Sequence, residues 1–409
     1  MKQKFTVIGI SDCREDFYHP EIMNIISHGK VFSGGLRHKE IISHLLPQDS
    51  TWIDIKVPLD NVFRQYEKYE DIIVIASGDP LFFGFANTIK KRLPEATLKV
   101  YPWFNSLQML SHRLNMPYHD MRCVSLVGRE WNAFYEAVIK NEKLIGVLTD
   151  KNHKPSDIAR LLFDYGYDNY IMHVGELLGN KENESVITLS LKEASDKDFR
   201  MPNCLLLEQT YRREIKFGIP DSDFSILEGR PGMITKMPIR ICTLSMLELY
   251  SKTVLWDIGF CTGSVSIEAK LQFPHLDIAS FEIREEGRKL MHDNSRKFGA
   301  LGINSYIADF TGLSDNFLNS LPQPDAVFIG GYGGKMKEVI QIISRHLKPG
   351  GVIVFNSVSE ESKNRFTQCI EETGGKVCRH IRMAVDNFNP IEIIPVSYTH
   401  LRAHETAAN

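Results

Sequence analysis

The chain of 409 residues is longer than one hydrophobic core usually serves, so two domains are expected, and its 43% hydrophobic and 24% charged residues are those of an ordinary globular protein. A formal net charge of -3 gives no general attraction to nucleic acid or to an anionic membrane, so neither is an expected partner. Seven cysteines without a CxxC pair suit neither a disulfide framework nor a zinc site; no metal is expected, and reduced thiols point to the cytoplasm.

The opening "MKQKFTVIGI" reads as a strand entering a turn, without the apolar region of a secretory leader, and no apolar run is long enough to span a bilayer. From Lys4 to about Glu208, short β-branched runs alternate with helical patterns, the signature of α/β layering. The clearest strands are "KFTVIGI", "DIIVIASGDP", "TLKVYP", "LIGVLTD", "NYIMHVGEL" and "NCLLLE". The stretch "FGIPDSDFSILEGRPGMITK" is rich in Gly, Pro and Asp and marks residues 217–235 as a linker between a first domain, 1–216, and a second, 236–396. Alternation then restarts with "TVLWDIG", "DIASFEI", "INSYIAD", "PDAVFIGG" and "GGVIVFN", followed by a closing pair, "KVCRHIRMAV" and "PIEIIPV". Five parallel-type strands and a closing pair predict an open doubly wound sheet. Residues 397–409, "SYTHLRAHETAAN", are polar and aperiodic, and are read as a non-native tail.

In "LWDIGFCTGSVSIE", Asp257 ends a strand, Gly259 and Gly263 lie in the turn, and a helix opens at Ser264. Glycines allow close backbone approach to a ligand, and a helix start offers free N–H groups. Glu282 ends the next strand, about twenty residues on, where a carboxylate can accept both ribose hydroxyls of an adenosyl cofactor. Asp309 and Phe310 end the third strand and could bracket adenine. A pyrophosphate fingerprint, G-x-G-x-x-G, is missing, so S-adenosylmethionine fits better than a dinucleotide. Cys261 stands where such loops place their middle glycine. With a negative φ it costs nothing; with a positive φ it costs about 1–2 kcal/mol.

In the first half, "IVIASGDPLFFGFANTI" places Ser77-Gly78-Asp79-Pro80 in a tight turn at a strand end, ahead of Phe82, Phe83 and Phe85. Alone, this is a strand, a turn and a helix capped by Asp79. It is accompanied by "GGLRH", "FNSLQMLSHRLNMPYHD" and "SLVGR".

With these motifs, residues 1 to about 215 resemble the tetrapyrrole methylase family, particularly its cobalt-precorrin-7 (carbon 5) methyltransferases. Residues from about 219 to 396 resemble the decarboxylating cobalt-precorrin-6B (carbon 15) methyltransferases, and the order of the halves is that of the fused precorrin-6Y enzymes of cobalamin biosynthesis. The resemblance implies an α/β class III tetrapyrrole methylase fold followed by a Rossmann-like class I fold, each using S-adenosylmethionine on a tetrapyrrole substrate, in a homo-oligomer. It implies that Ser77, Gly78, Asp79, Phe82, Ser106 and Gly175 hold the first cofactor. It further implies that Thr235, Gly259, Phe260, Cys261, Thr262, Gly263, Glu282, Asp309 and Phe310 hold the second. Gly330, Gly331 and Asn356 would line the second substrate cleft. The family's first loop, G-x-G-P-G, is here "GISDC", and no contact is carried over from it.

A sulfonium methyl is already activated and a reduced tetrapyrrole carbon is enamine-like, so the protein's task is positioning and desolvation. That agrees with the lack of a His/Asp or Ser/His constellation, and no catalytic residue is assigned. Decarboxylation can use the macrocycle as its electron sink. Substrate carboxylates call for Arg or Lys: Arg37, His38, Lys39, Arg129, Lys236, Arg240 and Lys335 are candidates, with Arg37 and Arg129 preferred because they fall inside family motifs. Three other readings stay open: a methyltransferase for RNA or protein, a module that binds corrinoid intermediates or S-adenosylmethionine without turnover, and a dehydrogenase.

Overall fold

The computed structural model describes residues 3–12 and 18–383. The chain forms two compact units. One is built on residues up to Phe217 with Ser266–Ile278 and Lys289–Ser305; the other takes Gly218–Val265, Ala279–Arg288 and the chain from Tyr306 on.

The first unit holds two five-stranded sheets. One consists of β1 (Lys4–Ile10), β2 (Val31–Gly34), β3 (Thr51–Asp54), β4 (Asp71–Ser77) and β5 (Thr97–Tyr101), in the order β3-β2-β4-β1-β5, and its pairs are parallel. Both faces are covered, as a parallel sheet requires. Phe5 and Val7 of β1, with Ile72, Val74 and Ala76 of β4, face one apolar cluster, while Ile8, Ile10, Ile73 and Ile75 face another. This explains why "KFTVIGI" and "DIIVIAS" read as nearly continuous apolar runs rather than as alternating ones. The other sheet, β6 (Arg122–Ser125), β7 (Leu144–Leu148), β8 (Tyr170–Glu176), β9 (Ser185–Ser190) and β10 (Asn203–Gln209), runs β6-β7-β10-β8-β9 and is mixed. β2, β3, β6 and β9 lie outside the six strands clearest in the sequence. Three of them are only four residues long, too short to show a period.

The third sheet comprises β11 (Val254–Ile258), β12 (Asp277–Glu282), β13 (Ile303–Ile307), β14 (Ala326–Ile329) and β15 (Val352–Phe355), in the order β13-β12-β11-β14-β15. The order reverses between β11 and β14, and the crevice beyond their carboxyl ends is where such sheets bind ligands. Behind it, Trp256 is fully buried against Phe281 and Phe310. At the opposite end, Asp325 ties three strands together. Its carboxylate accepts from the N–H groups of Thr253 (3.0 Å) and Val254 (2.8 Å), the Thr253 hydroxyl (2.7 Å) and Lys348 (3.3 Å), while its carbonyl accepts from Val352 N–H (3.1 Å).

One expected element is corrected. The strand read over "KVCRHIRMAV" is not formed across 376–383, which carry no regular structure. Val377, Ile381 and Met383 stay 43–51% exposed, so the segment buries too little to hold a ladder. The rest of that run, "PIEIIPV" and the tail 397–409 lie outside the described residues. No helix among the described residues is long and apolar enough to cross a membrane.

Candidate cofactor and substrate sites

A cavity of about 560 Å³ opens at the carboxyl ends of the third sheet. Its size is that of an ordinary small-molecule pocket. Gly259 (φ +77) follows β11, and a Cβ there would lie 2.5 Å from the Gly331 backbone nitrogen, so this is a cradle only glycine can form. Gly330 and Gly331 both donate to the carbonyl of Ile258, at 2.8 and 3.1 Å, locking the two strand-end turns together. Glu282 is 2% exposed; one oxygen accepts the Cys261 N–H (2.9 Å) and the other the Arg284 N–H and guanidinium (3.0 Å each). The oxygen that meets Cys261 keeps a second acceptor site, while Arg284 fills both sites of the other.

Cys261 takes the positive-φ alternative, at +51, so it carries the strain of about 1–2 kcal/mol that a glycine would not. Its thiol donates to the carbonyl of Met233 (3.1 Å), in the segment that forms one wall of the cavity. Burial, and then the Glu282 charge, raise its pKa, so it is a neutral donor and not a nucleophile. Replacing Cys261 by glycine is therefore expected to hold or modestly tighten cofactor binding, because relief of strain offsets the lost S–H···O contact. Isothermal calorimetry reads this; a large loss would mean that the thiol itself contacts ligand.

Thr235, Phe260, Thr262, Asp309, Phe310 and Asn356 also line this cavity, whereas Gly263 (φ +75) sits in the turn behind it. Phe310 is 5% exposed, with its ring in the Trp256–Phe281 cluster, so it presents little aromatic surface. Lys335 pairs with Asp309 at 2.7 Å, which with the Thr311 hydrogen bonds holds that carboxyl below its ordinary range. Asn356 is held by Thr243 (2.9 Å). Lys236 lines the wall. Arg240 does not line it: fully buried, it bonds Asp221 (3.1 Å) and the carbonyls of Thr235 (2.7 Å) and Ile219. It is an internal anchor for the segment ahead of its helix, neither a surface charge nor a substrate ligand.

A second cavity, of about 410 Å³, lies in the first unit and brings together Arg37, Ser77, Gly78, Asp79, Phe82, Ser106 and Gly175. Gly78 (φ +57) donates to the carbonyl of Ile10 at 2.8 Å and accepts from Trp103 N–H at 3.2 Å, fixing the turn after β4 between β1 and the chain beyond β5. Asp79 does not cap the following helix, whose N-cap is Gly84; it accepts the Leu81 N–H (2.8 Å), an Asx turn that starts the "PLFF" corner. Ser106 opens a helix capped by Asn105, whose side-chain oxygen accepts the Gln108 N–H (2.9 Å) while its own N–H donates to the Gln108 side chain (3.0 Å). Arg37 is paired with Asp12 at 3.1 Å, a use for one departure in the "GISDC" loop. Arg129 lies outside the lining, over the ring of Phe83.

His38 is not an anion ligand. Its Nδ1 accepts the Gly35 N–H (3.2 Å), which leaves Nε2–H to donate to the Ser77 hydroxyl (2.8 Å). Burial, then the Arg37 charge, lower its pKa to about 4. Between pH 6.5 and about 4 the unfolded chain binds a proton there that the folded chain does not, so stability falls as pH drops through that window. His38→Gln is expected to lose less of its urea midpoint between pH 7 and pH 4.5 than the parent; equal losses would contradict the neutral imidazole.

Sequence reasoning missed Arg284, although an arginine two residues past a strand-end acid was a readable signal. It also missed Met233 as a partner of Cys261, a contact with no local signature. Among the described residues no group of His, Cys, Asp and Glu could hold a metal ion.

Glycine turns at strand ends, a buried acid at the next strand and two cavities of small-molecule size fit an α/β enzyme that holds a nucleoside-type cofactor. Family models match in tandem: residues 31–195 match the tetrapyrrole (corrin/porphyrin) methylases and residues 229–394 the precorrin methyltransferase domain. The chain belongs to the precorrin methyltransferase family. It is 30% identical over 169 residues to a cobalt-precorrin-6B C(15)-methyltransferase (decarboxylating) of Salmonella typhimurium, covering 41% of this chain and 85% of that one. It is 28% identical over 377 residues to the precorrin-6Y C(5,15)-methyltransferase [decarboxylating] of a Sinorhizobium species, covering 91% and 89% of the two chains. A cobalt-precorrin-7 C(5)-methyltransferase of Salmonella typhimurium is 27% identical over 205 residues, 50% of this chain and 98% of that one.

Proposed function

We propose that the chain methylates carbons 5 and 15 of a precorrin macrocycle at two separate centres. The first unit's cavity serves carbon 5; the second unit's serves carbon 15, with loss of the ring C acetate carboxyl as carbon dioxide. The observation that carries this reading is the pair of cavities, each lined within its own unit and each with its own glycine turn. Bound S-adenosylmethionine supplies an electrophilic methyl on a sulfonium. In the second cavity Glu282 would accept the ribose hydroxyls, and the Gly259 cradle fits a cofactor approaching the backbone where a side chain would block it. In the first, Ser77, Gly78 and Ser106 would hold the cofactor, with Asp79 keeping the turn that presents them. Both walls exclude water and fix the reacting carbon in line, the main service an enamine-like nucleophile needs. Six free cysteines among the described residues support a cytoplasmic setting.

Calorimetry is expected to find two S-adenosylmethionine sites per chain. Asp79→Ala is expected to weaken the first alone by about 0.5–1.5 kcal/mol, the value of the hydrogen bond that holds the turn. Mass spectrometry of the products from precorrin-6B at limiting cofactor would then show methylation at carbon 5 lagging behind carbon 15. A single site, or loss of both methylations in folded protein, would replace this reading with one shared centre.

A further inference from the structure

Phe83 is a non-glycine residue in the left-handed region, with φ +54. An aromatic side chain occupies that region only against resistance, and outliers of this kind gather at functional sites. The ring is not among the buried core residues. Phe83 is 38% exposed, while the neighbouring core takes Phe85 and Ala86 instead. Its ring lines the first unit's cavity and meets Phe82 edge-on, with centroids 4.9 Å apart.

What the ring does carry is a guanidinium. The Arg129 Cζ lies 5.0 Å from the centroid of Phe83. Arg129 is exposed and forms no ion pair among the described residues, whereas Arg37, which does line the cavity, is paired with Asp12. The loop that delivers Arg129 is itself fixed from beneath. Gly128 (φ +59) donates its N–H to Asp150 at 2.8 Å, and Asp150 also accepts the N–H groups of Asn152 and His153, at 2.9 Å each. Two left-handed backbone positions, one in each sheet's loop, thus converge to lay an unpaired cation on an aromatic face at a cavity rim.

We infer that Phe83 is a positioning residue: its ring face holds the Arg129 guanidinium in place, with N–H groups free to take a side-chain carboxylate of the macrocycle as a forked pair. A guanidinium on a ring keeps its in-plane donors, so stacking and bidentate carboxylate binding are compatible. The inference rests on the proposed substrate class, a carboxylate-bearing tetrapyrrole.

The test is steady-state methylation of cobalt-precorrin-7, with cofactor affinity measured separately. Phe83→Leu is expected to raise the macrocycle KM about two- to fivefold, the range of an exposed cation–π contact, with kcat and cofactor affinity unchanged. Phe83→Tyr should restore it. Phe83→Gly should raise the thermal midpoint, by freeing the backbone, yet still raise KM, a divergence that a merely structural residue would not show. Phe83→Leu combined with Arg129→Ala should be no worse than Arg129→Ala alone. An unchanged KM in Phe83→Leu, or fully additive effects of the two changes, would overturn the inference. Failure of the unaltered protein to bind or methylate the macrocycle would instead overturn the substrate reading.

Discussion

Glu282→Ala is expected to weaken S-adenosylmethionine in the second cavity by about 1–3 kcal/mol, one to two decades in affinity, because ribose hydroxyls then lie unpaired in a desolvated pocket. The carboxylate is 2% exposed and also organises its surroundings, accepting the Cys261 N–H and both Arg284 donors. Its removal leaves a left-handed cysteine without its backbone partner and a guanidinium without its counter-ion. Glu282→Gln separates these roles: its amide oxygen can still accept one hydroxyl or the Cys261 N–H, so it should fall between the parent and alanine. In products analysed by mass spectrometry, carbon 15 methylation should drop while the first unit still binds cofactor. Equal loss at both centres in folded protein would contradict two independent sites.

Gly9→Ala is expected to have the complementary effect and the larger structural cost. A Cβ at residue 9 would sit 1.9 Å from the Gly78 carbonyl oxygen and 2.8 Å from the Trp103 nitrogen. Both are backbone atoms held by hydrogen bonds, so no flexible side chain can yield. The end of β1 must move away from the Ser77–Gly78 turn, at a cost of about 3 kcal/mol, the upper range for overpacking. Circular dichroism should show a lowered unfolding midpoint, and calorimetry should show loss of the first cofactor site with the second retained. A variant with parental stability and two intact sites would mean that the loop crossing is looser than its geometry indicates.

What could be read in advance divides by the range of the interaction. The turn after β4 and the glycine turn after β11 are local chemistry: Gly, Asp and Pro at fixed offsets after β-branched runs. Glu282 was found by spacing alone, since a strand-end acid about twenty residues after such a loop falls beside it in any doubly wound sheet. Tertiary pairing had no such signature. Arg37 and Arg129 look equivalent in sequence, yet Asp12 neutralises one and Phe83 cradles the other. Arg240 reads as a candidate carboxylate ligand because nothing nearby shows that Asp221 and two carbonyls will enclose it. The φ of Cys261 was open because both signs satisfy the same letters. "VFSG", "TWID" and "RCVS" escaped notice because four residues give one period and a half of alternation at most.

The Asp325 clamp makes the third sheet unequal along its length. Its amino-terminal edge is stitched by one carboxylate across β11 and β14, with Lys348 and Val352 completing the join to β15. Hydrogen bonds from Thr253 and Val254 and the Lys348 charge overcome burial and keep that carboxyl ionised below its ordinary range. At the ligand edge, by contrast, no side chain among the described residues spans three strands: the Gly330 and Gly331 amides close on Ile258, and Glu282 holds only Cys261 and Arg284. Transient opening should therefore start at the ligand edge and stop short of the clamp. In deuterium exchange without cofactor, the amides of Gly259, Cys261, Gly330 and Gly331 should trade their protons well before those of Val254 and Val352. Cofactor should slow the first group and leave the second unmoved, so the same clamp that never meets the ligand sets how far the ligand's influence spreads.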